Sequence, residues 1–226
     1  MILQMHIIKE LMKRSKELIK PYYHKFQRLY KAYRRIGLKC KDFSIVSNNC
    51  TGGYVYQYFG IVYNTPTEGL YFTTEDYIKL IKRPKHYFEH EVILIDPHQS
   101  VLAKAGKNIY YPVGVIDDIE VYFMHYHKPE EALNKWYRRA SRINYNKLFF
   151  LLTETELMED EHLKQFSEII ESYASNNGVC LTLTDYDYKH SLYVPNVPKD
   201  KKNGNAAWKP NIIISVLNWK KILNSL

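Results

Sequence analysis

This chain of 226 residues has few of the features that would give it a covalent or metal-held framework. Its three cysteines, Cys40, Cys50 and Cys180, are widely spaced and odd in number. They supply neither a disulfide scaffold nor a CxxC metal signature. A reducing compartment is the simplest setting. No apolar run approaches the roughly 18 residues needed to span a bilayer. Residues 1–8 contain no Lys or Arg, and their apolar character breaks at Lys9, unlike the basic start and long apolar stretch of a signal peptide. A cytoplasmic location is therefore expected. Both nucleotide fingerprints are missing: there is no GxGxxG, and no Walker-type lysine follows a glycine-rich loop. RNP, zinc-finger and helix-turn-helix patterns are missing as well. No motif asks for a cofactor, and none is expected.

Charge is present but unevenly placed. Residues 1–41 hold twelve Lys or Arg against Glu10 and Glu17, a net of +10; set against the total of +8, this leaves −2 for residues 42–226. A body without a basic stripe is not expected to bind nucleic acid. The division also suggests two parts, a basic arm over 1–41 and a single α/β domain over 42–226. The arm is helical by pattern. Ile8, Leu11, Met12, Leu18, Ile19, Tyr22, Phe26, Leu29, Tyr33 and Ile36 recur at three- and four-residue spacing, with Lys13, Lys16, Lys20, His24, Arg28, Lys31 and Arg35 opposite them. Pro21 is expected to separate two helices or kink one, and Gly37 to end the second. Such a helix can lie on an anionic membrane surface, or dock on its own domain with a solvated charged face.

The stretch richest in chemistry is Phe43-Ser-Ile-Val-Ser-Asn-Asn-Cys-Thr-Gly-Gly-Tyr54. Residues 43–46 read as a buried strand, and residues 54–59 as a helix stopped by Gly60. Strand, polar turn and helix N-terminus form the arrangement that α/β proteins use for site loops. Asn48 and Asn49 suit a tight turn. Gly52 and Gly53 permit a positive φ or the close approach of a ligand. Cys50, at the helix start, is the candidate nucleophile, since unpaired N–H groups there stabilise a thiolate. The same amides can cradle a phosphate. A buried structural cysteine in a capped turn is the plainer reading.

Farther on, residues 69–72, 91–95, 119–124, 148–152 and 179–183 read as strands. Helices are expected over 77–81, with a second piece past Pro84 to 88, from Pro129 to near 143–144, over 156–173, and close to the C-terminus. Thr73 is the expected N-cap of the first of these. Residues 110–114 and 186–204 read as connections. Alternating strands and helices indicate a three-layer α/β sandwich around a mostly parallel or mixed sheet. His125 and His127 follow a strand end, where either can serve as a general base; as a pair they are a weak metal signal, and no metal site is assigned. Arg138, Arg139 and Arg142, beside Trp136, can grip a phosphate or carboxylate, or face solvent on an ordinary helix.

These residues give the chain a resemblance to a bacterial family labelled domain of unknown function 1919, often described as exopolysaccharide biosynthesis proteins. The resemblance rests on the 43–54 stretch, on Asn64-x-Pro-Thr-x-Gly69, Phe72 and Asp76-Tyr77. It continues in Tyr111-Pro-Val-Gly114, Asp118-Ile-Glu120, His125-Tyr126, Glu131-Ala, Lys135-Trp136, Arg138, Arg142-Ile-Asn144 and Leu148-Phe149, across roughly residues 40–185. Thr51 departs from it, standing where the family commonly has Trp. The resemblance implies an α/β fold and a setting in surface polysaccharide assembly, without a reaction.

Together these readings lead to the expectation of a transferase using an activated sugar or acyl donor and a polysaccharide precursor. The 48–53 turn, His125, Arg139 and Arg142 would form the site, with Trp136 and Asn144 in the binding set. In an acyl-transfer version Cys50 attacks, His125 is the base, and the N–H groups after Cys50 form an oxyanion hole. In a glycosyl-transfer version the turn and the arginines hold donor phosphates. The alternative is a non-catalytic scaffold that the arm recruits to a membrane. A thiol hydrolase acting on the polymer is a third possibility.

Overall fold

A computed structural model describes residues 2–201 and 204–226, with side chains described at Glu17 and from Ile19 onward in that span. The predicted arm residues Ile8, Leu11, Met12, Lys13, Lys16 and Leu18 lie outside the described side chains.

The body is organised on four parallel strands, β1 (Ser44–Ser47), β5 (Leu148–Thr153), β6 (Gly178–Thr182) and β7 (Ser191–Tyr193), adjacent in that order. β1 and β5 are buried at every position, and β5 accordingly reads as a near-continuous apolar run, while β1 brackets Ile45 and Val46 with two buried serines. Alternation along the strands sends Ile45, Phe149, Leu151 and Leu181 into one core and Val46, Phe150, Leu152 and Cys180 into the other. The first core is covered by α2 (Thr51–Phe59), α8 (Pro210–Ser215) and α9 (Trp219–Asn224). The second is covered by α3 (Thr74–Lys82), α4 (Pro84–Glu89), α6 (Pro129–Ala140) and α7 (Asp160–Ser172). The result is the three-layer α/β sandwich that the alternating elements predict.

A second sheet pairs β2 (Ile93–Ile95), β3 (Val113–Ile116) and β4 (Ile119–Tyr122) antiparallel, with the short α5 (Val101–Lys104) between β2 and β3. Asp117, at φ 55, makes the tight turn of the β3–β4 hairpin. Residues 69–72 are not a strand. Tyr71 forms a single bridge with Tyr122, and the Phe72 N–H donates to the Asn48 carbonyl at 2.8 Å, so the segment stitches one sheet to the other. Two short strands fall in expected connections: β3, whose start is obscured by Pro112 and Gly114, and the three-residue β7. Thr73 caps α3 by accepting the Asp76 N–H at 3.1 Å, as its position predicts.

The arm forms one helix, α1 (Ile2–Arg34), with Pro21 inside it, so the expected separation into two helices does not occur. Gly37 follows at φ 81. Asn224 holds the junction, accepting from Lys39 N–H and donating to the Gly37 carbonyl.

Candidate functional site

The polar residues after β1 are knitted to β5. Asn48 is fully buried; its Nδ2 donates to the Thr153 carbonyl at 3.0 Å, and its Oδ1 accepts the Thr153 N–H at 3.1 Å and hydroxyl at 3.2 Å. The side chain thus extends the β1–β5 ladder as a main-chain amide would. Asn49 Nδ2 donates to Thr153 Oγ1 at 2.7 Å, and its Oδ1 accepts the Thr51 N–H at 3.0 Å. Ser47 Oγ accepts the Gly52 N–H at 3.2 Å, while the Gly53 N–H turns back to the Cys50 carbonyl at 3.0 Å. The first amides of α2, the groups an oxyanion or phosphate would need, therefore have internal partners. Cys50 occupies the N-cap position without capping; Asn49 and Ser47 do that work.

The two glycines serve close approach, but to the protein itself, and neither has a positive φ. A Cβ on Gly52 would meet Ser47 Oγ at 2.8 Å and Ile45 Cγ2 at 2.9 Å, and one on Gly53 would overlap the carboxyl of Glu68. Glu68 is the residue that sequence reasoning missed. It stands at an unassigned position of the Asn64-x-Pro-Thr-x-Gly69 stretch, although the bare Gly53 backbone hints at a tight neighbour. Burial raises its pKa to about 7, against the opposing pull of Arg139 and Gln57. Its Oε2 is buried without a hydrogen-bond partner. Thr65 and Thr67 knit the same segment to β1, with Thr67 Oγ1 accepting the Ser47 N–H at 3.2 Å.

Cys50 is not electrostatically activated. Burial raises its thiol pKa, the charge of Glu68 raises it further, and the Tyr54 hydroxyl, at 3.8 Å, is its polar side-chain neighbour. The net direction is upward, with burial the largest cause, opposite to the lowering expected at a helix start.

A cavity of about 880 Å³ opens beyond the turn, at the carboxyl ends of β1 and β5, within the range typical of small-molecule sites. Asn49, Cys50, Thr51 and Tyr54 form one wall and Glu154, Thr155 and Glu156 another; Tyr71, Tyr110, Tyr111 and Trp208 give it aromatic surface. Lys107, paired with Glu156, and Lys209 bring positive charge.

The remaining predicted site residues lie elsewhere. His125 follows β4 of the antiparallel sheet, not a strand of the parallel one; its N–H donates to the Gly69 carbonyl, and its side chain is exposed and outside the cavity wall. Trp136 is a core residue, 1 % exposed, packed on Phe88 and Phe123. Arg139 is buried, donating to the Glu68 carbonyl at 2.7 Å and the Tyr126 hydroxyl at 2.8 Å. Arg142 donates to the Tyr63 carbonyl at 2.6 Å. Asn144 bonds Ser44 and Asp42 at the amino end of β1, the opposite end from the turn. The arrangement therefore gathers Asn49 and Cys50 at the cavity, keeps Asn48, Gly52 and Gly53 behind them, and leaves His125, Trp136, Arg139, Arg142 and Asn144 away from its walls. Among the described residues, no group of three His, Cys, Asp or Glu is arranged to hold a metal ion.

An uncharacterized protein of Haemophilus influenzae is 25% identical over 163 residues, covering 72% of this chain and 72% of its own. The family described as domain of unknown function (DUF1919) matches residues 22–215, which takes in β1, the turn, the cavity walls and all of both sheets. With most of its length inside that match, the chain belongs to the DUF1919 family.

Proposed function

We propose that this protein is a transferase of surface polysaccharide assembly, working by glycosyl transfer, with its sugar-bearing ligand in the cavity beside the β1–α2 turn. The observation that carries this reading is the character of the cavity wall. Tyr54, Tyr71, Tyr110, Tyr111 and Trp208 offer aromatic faces to the C–H surfaces of a sugar or base, and Asn49, Thr51, Asn108 and Thr155 offer hydrogen bonds to hydroxyls. The polysaccharide setting draws on the family resemblance of the 43–54 stretch. Acyl transfer through Cys50 is disfavoured, because the thiol has a raised pKa and the amides after it are occupied. In the glycosyl reading Lys107 and Lys209 meet the donor's phosphate, and Glu154 or Glu156 takes the proton of the acceptor hydroxyl. A second reading, a non-catalytic protein recruiting polysaccharide enzymes to a membrane, draws on the apolar surface that α1 leaves exposed.

A thermal-shift panel of nucleotide sugars, nucleotides and acyl-coenzyme A thioesters tests the choice. A ligand at about 100 times its Kd adds roughly 2.7 kcal/mol of stability. The expected result is stabilisation by a nucleotide sugar that weakens in Tyr110→Ala, a change at a residue 76 % exposed that leaves the fold intact. A flat panel on folded protein would overturn the proposal in favour of the recruiting role. Stabilisation by an acyl thioester that disappears in Cys50→Ser would restore acyl transfer.

A further inference from the structure

The helix α1 meets the body through the side opposite to the one expected of an amphipathic helix. Lys31, Arg34 and Arg35 face the domain: the Arg35 guanidinium donates to the Phe59 carbonyl at 2.7 Å and to that of Gly60 at 3.2 Å. Arg34 lies 4.1 Å over the rings of both Tyr30 and Tyr58. The side chain of Lys31 lies against Gly60, whose φ of 63 ends α2. The apolar side is left in solvent. Ile19, Tyr22, Phe26, Leu29, Tyr33 and Ile36 are 61–76 % exposed; the three- and four-residue spacing of the first five puts them on one face of the helix, and Ile36 follows in the turn after it. Tyr23 and Tyr30 widen it. A contiguous patch of this kind on a monomer marks an interaction surface.

We infer that this face of α1 is a docking surface for an anionic lipid bilayer, with the helix lying in the plane of the headgroups. Charge decides among the occupants. Residues 2–34, the span of α1, contain nine Lys or Arg against Glu10 and Glu17, a net of +7, while residues 42–226 have a net of −2, so the positive charge is concentrated on the element that carries the apolar face. Lys25 flanks that face, where its long side chain reaches the phosphates of a surface on which the apolar residues rest, while Lys20 and Arg28 add longer-range attraction from farther round the helix. Tyr22, Tyr23, Tyr30 and Tyr33 are the residue type that favours the bilayer interface, apolar in body and polar at the tip. The seven-residue spacings Ile19–Phe26–Tyr33 and Tyr22–Leu29 also fit a coiled coil with a second copy. That pairing would set two helices of net +7 side by side, with Glu10 and Glu17 too few to relieve the repulsion. Among the described residues no helix is long and apolar enough to cross a membrane, which leaves the surface orientation.

Flotation of the full chain with vesicles tests this. Binding is expected to vesicles containing phosphatidylglycerol, to be weak on pure phosphatidylcholine, and to fall as salt rises. The variant Phe26→Ser, Leu29→Ser, Tyr33→Ser keeps every charge and, since these side chains touch solvent, should melt at the parent temperature while losing at least roughly tenfold in partitioning. The variant Lys20→Gln, Lys25→Gln, Arg28→Gln should lose binding to anionic vesicles only. Absence of flotation with either vesicle would overturn the inference, as would a serine variant that binds like the parent. A dimer abolished by the serine substitutions, with no vesicle binding, would assign the face to a second copy instead.

Discussion

The turn between β1 and α2 and the C-terminal end of α6 look alike in sequence, each a dense cluster of groups able to hold an anion. In the folded chain they differ in what lies beyond them. At the turn, Asn48 and Asn49 are tied to Thr153 on the inner side, and Asn49 and Cys50 still border a cavity. At the end of α6, Arg139 and Arg142 reach inward to the carbonyls of Glu68 and Tyr63 and border none of it. The lesson is that a cluster of polar side chains signals a demand for partners. Whether a ligand or the chain itself meets the demand depends on neighbours distant in sequence.

If the α6 arginines are internal anchors, removing one should unfold more than it unbinds. Arg139→Ala breaks two hydrogen bonds from a buried cation and withdraws the charge beside Glu68. A loss of about 3 kcal/mol, roughly 6–12 °C in melting temperature, is expected in chemical and thermal denaturation, with donor affinity in the folded fraction unchanged. The carboxyl held by this anchor gives the next effect. Folding raises the pKa of Glu68 from 4.5 to about 7, so between these values the folded chain holds a proton that the unfolded chain releases. Its contribution to stability is fully present below about pH 4.5 and is lost as pH rises through about 7, on the order of 3 kcal/mol. Asp76, raised by burial to about 6, slopes the same way. Denaturation midpoints from pH 4.5 to 8 should therefore flatten in part, not wholly, in Glu68→Gln.

At the turn, Asn48→Ala strips the three bonds to Thr153 and should cost about 2 kcal/mol. The smallest effect belongs to Cys50→Ser. A side chain that neither caps the helix nor meets a base should change stability by less than about 1 kcal/mol and leave turnover intact, as read by melting and by product formation. Loss of turnover in that variant, with donor binding kept, would erase the contrast between anchoring turn and cavity wall.

Much of the fold was legible because it depends on local pattern. The apolar runs of β1 and β5, the Thr73 cap, Pro129 at the start of α6 and the Gly60 stop each carry their own signal. What stayed hidden depends on pairing. Nothing near residues 119–124 says that β4 joins a second sheet, so the sequence does not reveal that His125 and Cys50 follow strands of different sheets. The glycine pair announced a close approach correctly, but the approaching groups, Ser47, Ile45 and Glu68, are the protein's own. The arm's periodicity predicted a helix, while only the contacts of Arg34 and Arg35 show which side is docked.

The first amides of α2 are closed by the chain, and in the proposed function ligand recognition falls to the cavity wall. Amide hydrogen exchange of Thr51, Gly52 and Gly53, measured with and without pyrophosphate, tests it most directly. Slow exchange that pyrophosphate does not alter is the predicted result. Fast exchange in the free protein that slows on adding pyrophosphate would contradict the account and return the turn to the role of an anion cradle.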